Sequence, residues 1–213
     1  MDDPRGHPRN GPGLSRRQFL KGSSLTAAAT ALSTAQLPAF SNAEEIAQET
    51  VAIGPGPAKI QLNVNGKSMT QSIEPRVTLL DTLRNYLDVT GCKRVCDRGT
   101  CGACTVMLDG KPVYSCTTLA LEAQGKEIRT AESLVEEGKL DAVPAAFAQA
   151  DAQQCGFCTP GFVVAMRAAF NQNPKATPAE IEEALSGNIC RCGTYQQMRD
   201  AIPTLCKNEG KGG

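Results

Sequence analysis

Histidine and tryptophan are almost absent from this chain of 213 residues. Its single histidine is His7, and it contains no tryptophan. Rieske iron–sulfur centres, Cys2His2 zinc sites and cysteine–histidine nucleophiles all need an imidazole group. Because His7 lies near the N-terminus, in a segment with the features of an export leader, the rest of the chain can form none of these sites.

An excess of charge of either sign is also missing. The chain has 22 lysine and arginine residues and 22 aspartate and glutamate residues. Residues 1–43 contain five of the basic and two of the acidic residues, a net charge of +3, so the remainder has a net charge of −3. Nucleic-acid-binding and anionic-surface-binding proteins usually carry a basic patch. The composition therefore supports neither kind of partner.

No long hydrophobic run is present. The most apolar stretch, which ends near Phe40, is rich in Ala, Ser and Thr and too poor in Leu and Ile for a membrane span. It follows the twin arginines Arg16 and Arg17 and precedes the small residues Ser41-Asn42-Ala43. This order predicts a twin-arginine export signal over residues 1–43 and a periplasmic mature chain. The alternative is a disordered basic N-terminus.

Cysteine, in contrast, is abundant, with ten residues. Eight of them form two sets by their spacing. The first thiol set has the C-x4-C-x2-C spacing of plant-type [2Fe–2S] proteins with a fourth cysteine further on, and the second combines C-x2-C with C-x-C. The first thiol set is Cys96, Cys101, Cys104 and Cys116, and the second thiol set is Cys155, Cys158, Cys190 and Cys192.

Other uses of these cysteines stay open. Exported proteins often form disulfides, although proteins exported by the twin-arginine route are transported folded and can carry a cofactor inserted in the cytoplasm. The second thiol set could also hold zinc, because C-x2-C is a zinc spacing. Cys92 and Cys206 belong to neither set and are expected to be free thiols, with a mutual disulfide as the alternative.

The segment after the leader has the pattern of a small sheet. Alternating apolar residues lead into Asn65-Gly66, the strongest short signal for a two-residue hairpin turn. Thr78, with Asp81 three residues later, predicts the N-cap of a helix. Further strands are expected at residues 105–108, 113–116 and 127–130. This order is typical of a ferredoxin-like β-grasp sheet.

Beyond about residue 133 the pattern changes to helices. Thr159-Pro160 predicts an N-cap followed by an N1 proline, and Thr177 and Glu180 form a capping box. Thr194 could cap a last helix that runs through about Cys206, although Pro203 would distort it. We therefore expect an α+β fold in which a β-grasp domain is followed by an all-α four-helix bundle. The predicted boundaries are a linker at 44–57, the β-grasp domain at 58–133, the helical domain at 134–207 and a flexible tail at 208–213.

The surroundings of the cysteines suit an anionic cluster. Gly99 and Gly102 lie within the first loop, where glycine lets backbone N–H groups approach sulfur. Cys158 immediately precedes one predicted helix, and Cys192 lies two residues before Thr194. Both would place thiolates at helix N-termini, where the helix dipole favours negative charge and lowers the thiol pKa.

Three segments resemble motifs of one known family, the iron–sulfur subunits of the xanthine oxidase (molybdenum hydroxylase) family. Residues 96–106 (CDRGTCGACTV) resemble its first-cluster motif. Residues 154–161 (QCGFCTPG) and 187–193 (GNICRCG) resemble its second-cluster motifs. The resemblance extends over residues 58–206. Val95 departs from the glycine usual in the family, and Cys92 from a frequent threonine.

The resemblance implies two [2Fe–2S] clusters and a large partner subunit that holds the molybdopterin cofactor and the substrate pocket. Gln154 and Cys192 would face the pterin, and electrons would pass through the second cluster and then the first. They would leave to a FAD subunit or an external acceptor. The chain has no nucleotide-binding motif of its own and no expected catalytic residue.

The export leader makes the chain most similar to the periplasmic aldehyde oxidoreductase type. We therefore expect an electron-transfer subunit of an exported enzyme that oxidises an aldehyde or an N-heterocycle. One alternative is a freestanding periplasmic ferredoxin-like carrier. Another is a structural module that uses zinc or disulfides.

Overall fold

A computed structural model describes residues 54–210 of the chain. The predicted export signal at 1–43, most of the predicted linker and residues 211–213 of the predicted tail lie outside the described residues. No helix in the described part is long and apolar enough to cross a membrane.

Five strands form one mixed sheet in the order β2-β1-β5-β3-β4. Only the β1–β5 pairing is parallel among those of this sheet. Asn65 and Gly66 have φ angles of 50° and 76°, so the predicted hairpin turn is confirmed. The strands are β1 (Ala58–Val64), β2 (Lys67–Ile73), β3 (Thr105–Leu108), β4 (Lys111–Tyr114) and β5 (Glu127–Arg129).

Strand β4 lies two residues earlier than the predicted range of 113–116. The Asp109–Gly110 turn has positive φ angles of 49° and 77° and returns the chain at once, so pairing begins at Lys111. The strand ends at Tyr114, whose carbonyl accepts from the Thr117 N–H in a turn. Cys116 therefore lies after the strand.

The predicted helix after Thr78 is present. It comprises α1 (Leu79–Asp81) and a continuing π-helical turn at Thr82–Tyr86. The Thr78 hydroxyl accepts from the Asp81 N–H at 3.1 Å, which confirms the predicted N-cap. Short 3-10 helices at Ala120–Ala123 and Ala131–Leu134 were not predicted, nor was the small hairpin of β6 (Val135–Glu136) and β7 (Lys139–Leu140).

Four helices follow, as predicted. They are α2 (Ala142–Gln149), α3 (Thr159–Gln172), α4 (Pro178–Ala184) and α5 (Tyr195–Glu209). The capping box of Thr177 and Glu180 is confirmed. The predicted N-cap at Thr159 is wrong by one residue: Cys158 occupies the N-cap position of α3 without a side-chain capping bond, and Pro160 is the second residue of the helix.

The last helix continues through Pro203 and ends at Glu209, beyond the predicted end at Cys206. The buried side chains of Met198, Ile202 and Leu205 hold it against its neighbours on both sides of the proline. This packing outweighs the hydrogen bond that the proline cannot donate.

Two apolar cores meet at strand β3. Val106 and Leu108 belong to the core of the sheet, whereas Met107 lies in the core of the helices. Every residue of β3 is buried, so the helices cover the second face of this strand. The loop that precedes β3 is thereby held between the sheet and helix α3.

Candidate metal centres

Three cysteines of the first thiol set lie in the loop between the π-helical turn and β3. The Arg84 guanidinium donates to the carbonyls of Thr90 and Cys92, both at 2.8 Å. The Glu132 carboxylate accepts from the Gly91 N–H at 2.6 Å. These bonds fix the beginning of the loop before it reaches Cys96.

Backbone N–H groups of this loop point at sulfur. Gly99, with a φ of 69°, donates to Cys116 Sγ at 3.3 Å, and Thr100 donates to Cys96 Sγ at 3.4 Å. The predicted role of Gly99 is thereby confirmed. Gly102 also has a φ of 69°, but here glycine is required for space, because the second region packs directly against it. An added Cβ would lie 2.8 Å from the Gly187 carbonyl, so the absence of a side chain lets the second region approach.

The first thiol set consists of two adjacent pairs. Cys96 lies beside Cys101 and Cys104 lies beside Cys116, because within each pair one thiol shifts the pKa of the other. The Thr100 side chain lowers the pKa of Cys96 to about 6; burial opposes this shift, and backbone N–H groups and Cys101 add to it. Burial raises the pKa of Cys104.

The second thiol set joins two segments that are distant in sequence. Cys155 and Cys158 precede α3, and Cys190 and Cys192 precede α5, as predicted. Cys192 lies beside Cys155 and Cys158 lies beside Cys190, because within each pair one thiol shifts the pKa of the other, so this set also consists of two pairs. Burial, followed by contact with Cys190, raises the pKa of Cys158 to about 12, against the predicted lowering at this helix N-terminus.

Thr194 contributes to this site in a way that the sequence did not indicate. Its hydroxyl lies 3.2 Å from Cys190 Sγ and makes no capping hydrogen bond to α5. Although burial opposes the shift, hydrogen bonds from Thr194, Cys158 and the Gly193 backbone lower the pKa of Cys190 to about 7. The Cys190 N–H donates to the Tyr195 hydroxyl at 2.7 Å.

The two thiol sets are joined by a junction, residues 187–189, which sequence reasoning missed. The Ile189 N–H donates to the Cys101 carbonyl at 2.9 Å. The Asn188 side chain donates to the Gly102 carbonyl at 3.0 Å and is 6% exposed. The Tyr114 hydroxyl donates to the Gly187 carbonyl at 3.0 Å. Neither spacing nor periodicity signals these contacts.

The remaining predicted residues lie at the surface or in the cores. Gln154 is exposed beside the second thiol set, and Cys155 is the exposed member of that set. Val95 is 57% exposed next to Cys96. Cys92 is buried in the core of the sheet, where burial raises its pKa to about 11, and Cys206 packs against the helices.

The cysteine side chains argue against the alternatives that the sequence left open. All ten cysteines are free, which argues against a disulfide framework and against a Cys92–Cys206 disulfide. Within residues 54–210, no group of three or more His, Cys, Asp or Glu side chains is arranged to hold a single metal ion. Two adjacent thiol pairs in each set instead fit two irons, each of which takes two thiolates in a [2Fe–2S] cluster.

Comparison with known families identifies three matching segments. Residues 62–135 match the 2Fe-2S iron-sulfur cluster binding domain, and residues 130–203 match the [2Fe-2S] binding domain. Residues 13–33 match the TAT (twin-arginine translocation) pathway signal sequence, which directs export to the periplasm.

Curated relatives match most of their own length. The nicotine 6-hydroxylase small subunit of Paenarthrobacter nicotinovorans is 45% identical over 144 residues, covering 68% of this chain and 87% of the relative. The aldehyde oxidoreductase iron-sulfur-binding subunit PaoA of Escherichia coli (strain K12) is 39% identical over 209 residues, covering 89% of this chain and 86% of the relative.

Solved structures agree with this relationship and with the predicted α+β fold. Quinoline 2-oxidoreductase from Pseudomonas putida 86 matches with a TM-score of 0.69 and 40% identity over 73% of this chain and 98% of its own chain. The aldehyde oxidoreductase from Desulfovibrio desulfuricans ATCC 27774 matches with a TM-score of 0.68 and 34% identity, but over 17% of its longer chain. With two [2Fe–2S] domains and relatives matched over most of their length, this chain belongs to the small iron–sulfur subunits of the xanthine oxidase family of oxidoreductases.

Proposed function

We propose that the chain is the electron-transfer subunit of an exported molybdenum hydroxylase. In this proposal each thiol set holds one [2Fe–2S] cluster, with one contacting cysteine pair on each iron. The clusters supply one-electron redox chemistry, and the residues of this chain hold, orient and shield them. The predicted boundaries at 58–133 and 134–207 are retained for the two cluster domains.

The observation that carries the proposal is the backbone contact between the two segments that carry the thiol sets. The Ile189 N–H, one residue before Cys190, donates to the carbonyl of Cys101. One hydrogen bond therefore connects a proposed ligand segment of one cluster to that of the other. A short connection of this kind suits electron transfer between two centres, whereas a structural module has no need for it.

The polar groups around sulfur also support the proposal. A cluster with four thiolates is anionic, and its charge becomes more negative on reduction. N–H groups of Gly99 and Thr100 point at the first thiol set, and the Thr194 hydroxyl contacts the second. The Thr159 hydroxyl, next to Cys158, is buried and has no hydrogen-bond partner among the described residues. It is a further donor available to a group held there.

The surface of the second thiol set suits a large, closely packed partner. Phe157 and Ile189 are 49% and 51% exposed beside the exposed Cys155 and Gln154. Exposed apolar groups of this kind are typical of subunit interfaces. We propose that the molybdopterin-binding subunit covers this surface, with Gln154 and Cys192 facing the pterin.

The first thiol set would then be the exit side. Cys96 is partly exposed next to the exposed side chain of Val95. A flavin subunit or an external acceptor would receive electrons there. The names of relatives include nicotine, quinoline and aldehyde enzymes, which supports an N-heterocycle or an aldehyde as the substrate.

The test is an iron and acid-labile sulfide assay with EPR on the mature chain after anaerobic reduction. Two distinguishable one-electron signals and about four irons per chain are expected. Co-purification from the periplasm should yield a complex with a molybdenum-containing subunit. A single cluster, or zinc in the second thiol set, would overturn the proposal. Two clusters without any stable partner would favour the freestanding carrier.

A further inference from the structure

Tyr114 stands out because it connects the two proposed cluster sites but lies in none of the three cysteine motifs. It is the last residue of strand β4, two positions before Cys116. Its hydroxyl donates to the carbonyl of Gly187, 73 residues away and three positions before Cys190. Its backbone carbonyl accepts a hydrogen bond from the N–H of Thr117, the residue after Cys116.

The phenol fits closely between both loops. A Cβ added to Gly187 would lie 2.0 Å from the Tyr114 hydroxyl oxygen and 3.4 Å from ring carbon Cζ. On the other side, a Cβ on Gly99 would lie 3.8 Å from ring carbon Cδ2. Gly99 is the residue whose N–H points at Cys116 Sγ. The side chain therefore spans from the first loop to the segment that carries the second thiol set.

The hydrogen bond from Tyr114 differs from the other bonds that hold the junction, because it comes from a different kind of element. The bonds of Ile189 and Asn188 end on carbonyls of the first loop. The bond from Tyr114 comes from a paired strand of the sheet. A strand is more rigid than a loop, so this bond fixes the position of the junction relative to the sheet.

We propose that Tyr114 is a positioning residue that fixes the distance between the two [2Fe–2S] clusters and so sets the rate of electron passage between them. The proposal rests on the two clusters of the proposed function. Tyr114 is not itself proposed to accept or donate an electron. It acts through residues 187–189, which carry the backbone connection from Cys101 to Cys190.

The first experiment compares the full, cluster-loaded chain with Tyr114→Phe. The control is Tyr86→Phe, which makes the same chemical change at an exposed phenol with no hydrogen bond in the described part of the chain. Three quantities are measured. They are the EPR spectrum of the doubly reduced chain, the rate of electron transfer from the second cluster to the first, and hydrogen–deuterium exchange of the peptide that contains Ile189.

In Tyr114→Phe we expect both clusters to remain, with a smaller spin–spin splitting between them and slower reduction of the first cluster. Exchange at the junction should be about two- to tenfold faster, as the loss of one net hydrogen bond implies. Tyr86→Phe should match the parent. Splitting, rate and exchange equal to the parent in Tyr114→Phe would overturn the positioning role.

A second variant separates positioning from general packing. Gly187 is not in the left-handed region, so Gly187→Ala tests the approach of the phenol without backbone strain. Alanine at this position should reduce the splitting in the Tyr114 chain, because its Cβ displaces the hydroxyl. In a Gly187→Ala, Tyr114→Phe double variant the conflict is removed, and the splitting should return to that of Tyr114→Phe. A double variant worse than both single variants would contradict the proposal.

These outcomes are distinguishable from failure of the proposed function. A parent chain without two EPR centres would overturn both. A parent chain with two coupled centres and an unaltered Tyr114→Phe would overturn only the positioning role.

Discussion

The first thiol set has three of its cysteines in one loop that leads into strand β3, whereas the second joins two segments that precede separate helices. In the first, the loop has positive φ angles at Gly99 and Gly102, and the backbone N–H groups of Gly99 and Thr100 donate to sulfur. The second relies on helix starts and on a buried hydroxyl, that of Thr194. The same donor set is thus achieved by local loop geometry in one half and by tertiary packing in the other.

This difference has a consequence for how each site tolerates change. A loop held by its own hydrogen bonds depends on residues close in sequence. A site between two helices depends on the stability of the whole bundle. We therefore expect substitutions in the helices to disrupt the cluster of the second thiol set before that of the first.

The largest expected effect comes from removing one cysteine of each set. Cys104→Ser should abolish the first EPR signal and Cys158→Ser the second, each with loss of about half the iron, because every [2Fe–2S] cluster needs four ligands. Cys206→Ser, which changes a free thiol outside both sets, is the control and should retain both signals. Loss of both signals in either variant would show that the two sites cannot form independently.

The next effect concerns the close approach of the two regions. Gly102→Ala should destabilise the chain by about 2–4 kcal/mol, from the positive φ and from overpacking against the second region. Gly110→Ala is matched, with a φ of 77° and no atom within 4 Å of the added Cβ, and should cost only about 1 kcal/mol. Urea unfolding followed by circular dichroism compares them. Equal costs would mean that the junction is not tightly packed.

The helical half has its own electrostatic anchor in Arg167, whose side chain is 11% exposed. It pairs with Asp141 at 2.9 Å and with Glu209 at 2.8 Å, joining α3 to the start of α2 and the end of α5. Arg167→Met would leave two partly buried carboxylates without their partner, at a cost of about 2–3 kcal/mol. On heating, this variant should lose the second EPR signal before the first.

A matched control is Arg199→Met. Arg199 pairs with Glu182 at 3.2 Å, but both side chains are about half exposed, at 58% and 45%. Exposed ion pairs contribute little, so the change in unfolding free energy should stay within about 0.5 kcal/mol. Simultaneous loss of both signals in Arg167→Met would contradict the expected order of failure.

Features set by neighbouring residues could be predicted from the sequence. The hairpin at Asn65-Gly66, the capping box at Thr177 and the spacing of the first thiol set all involve residues within a few positions of each other. The pairing of four helices with a β-grasp sheet also followed from the change of pattern near residue 133. In each case local geometry alone restricts the structure.

What could not be predicted depends on contacts between distant residues. Asn188 and Gly102 are 86 residues apart, and Tyr114 and Gly187 are 73 apart. No periodicity records such contacts. One local contact was also missed: Thr194 occupies the predicted N-cap position of α5, but its hydroxyl lies against Cys190, four residues earlier, and makes no capping hydrogen bond.

The smallest expected effect uses that threonine to compare the two centres directly. A hydroxyl that donates to a cluster thiolate stabilises the more negative, reduced form, so its removal should lower the reduction potential of that centre. Thr194→Val keeps the shape of the side chain and should lower the potential of the second centre by about 20–60 mV, the equivalent of one net hydrogen bond for a one-electron couple. The first centre should be unaffected.

Thr100→Val is the counterpart in the first thiol set, where the Thr100 side chain lowers the pKa of Cys96. Thr100 is exposed, whereas Thr194 is 1% exposed. Water can replace the lost donor at the exposed site, and a hydrogen bond is electrostatically stronger in the buried one. The shift of the first centre should therefore be smaller than that of the second. EPR-monitored redox titration of both variants measures the two shifts, and a larger shift for Thr100→Val would refute the view that burial makes the hydroxyl more important at the second site.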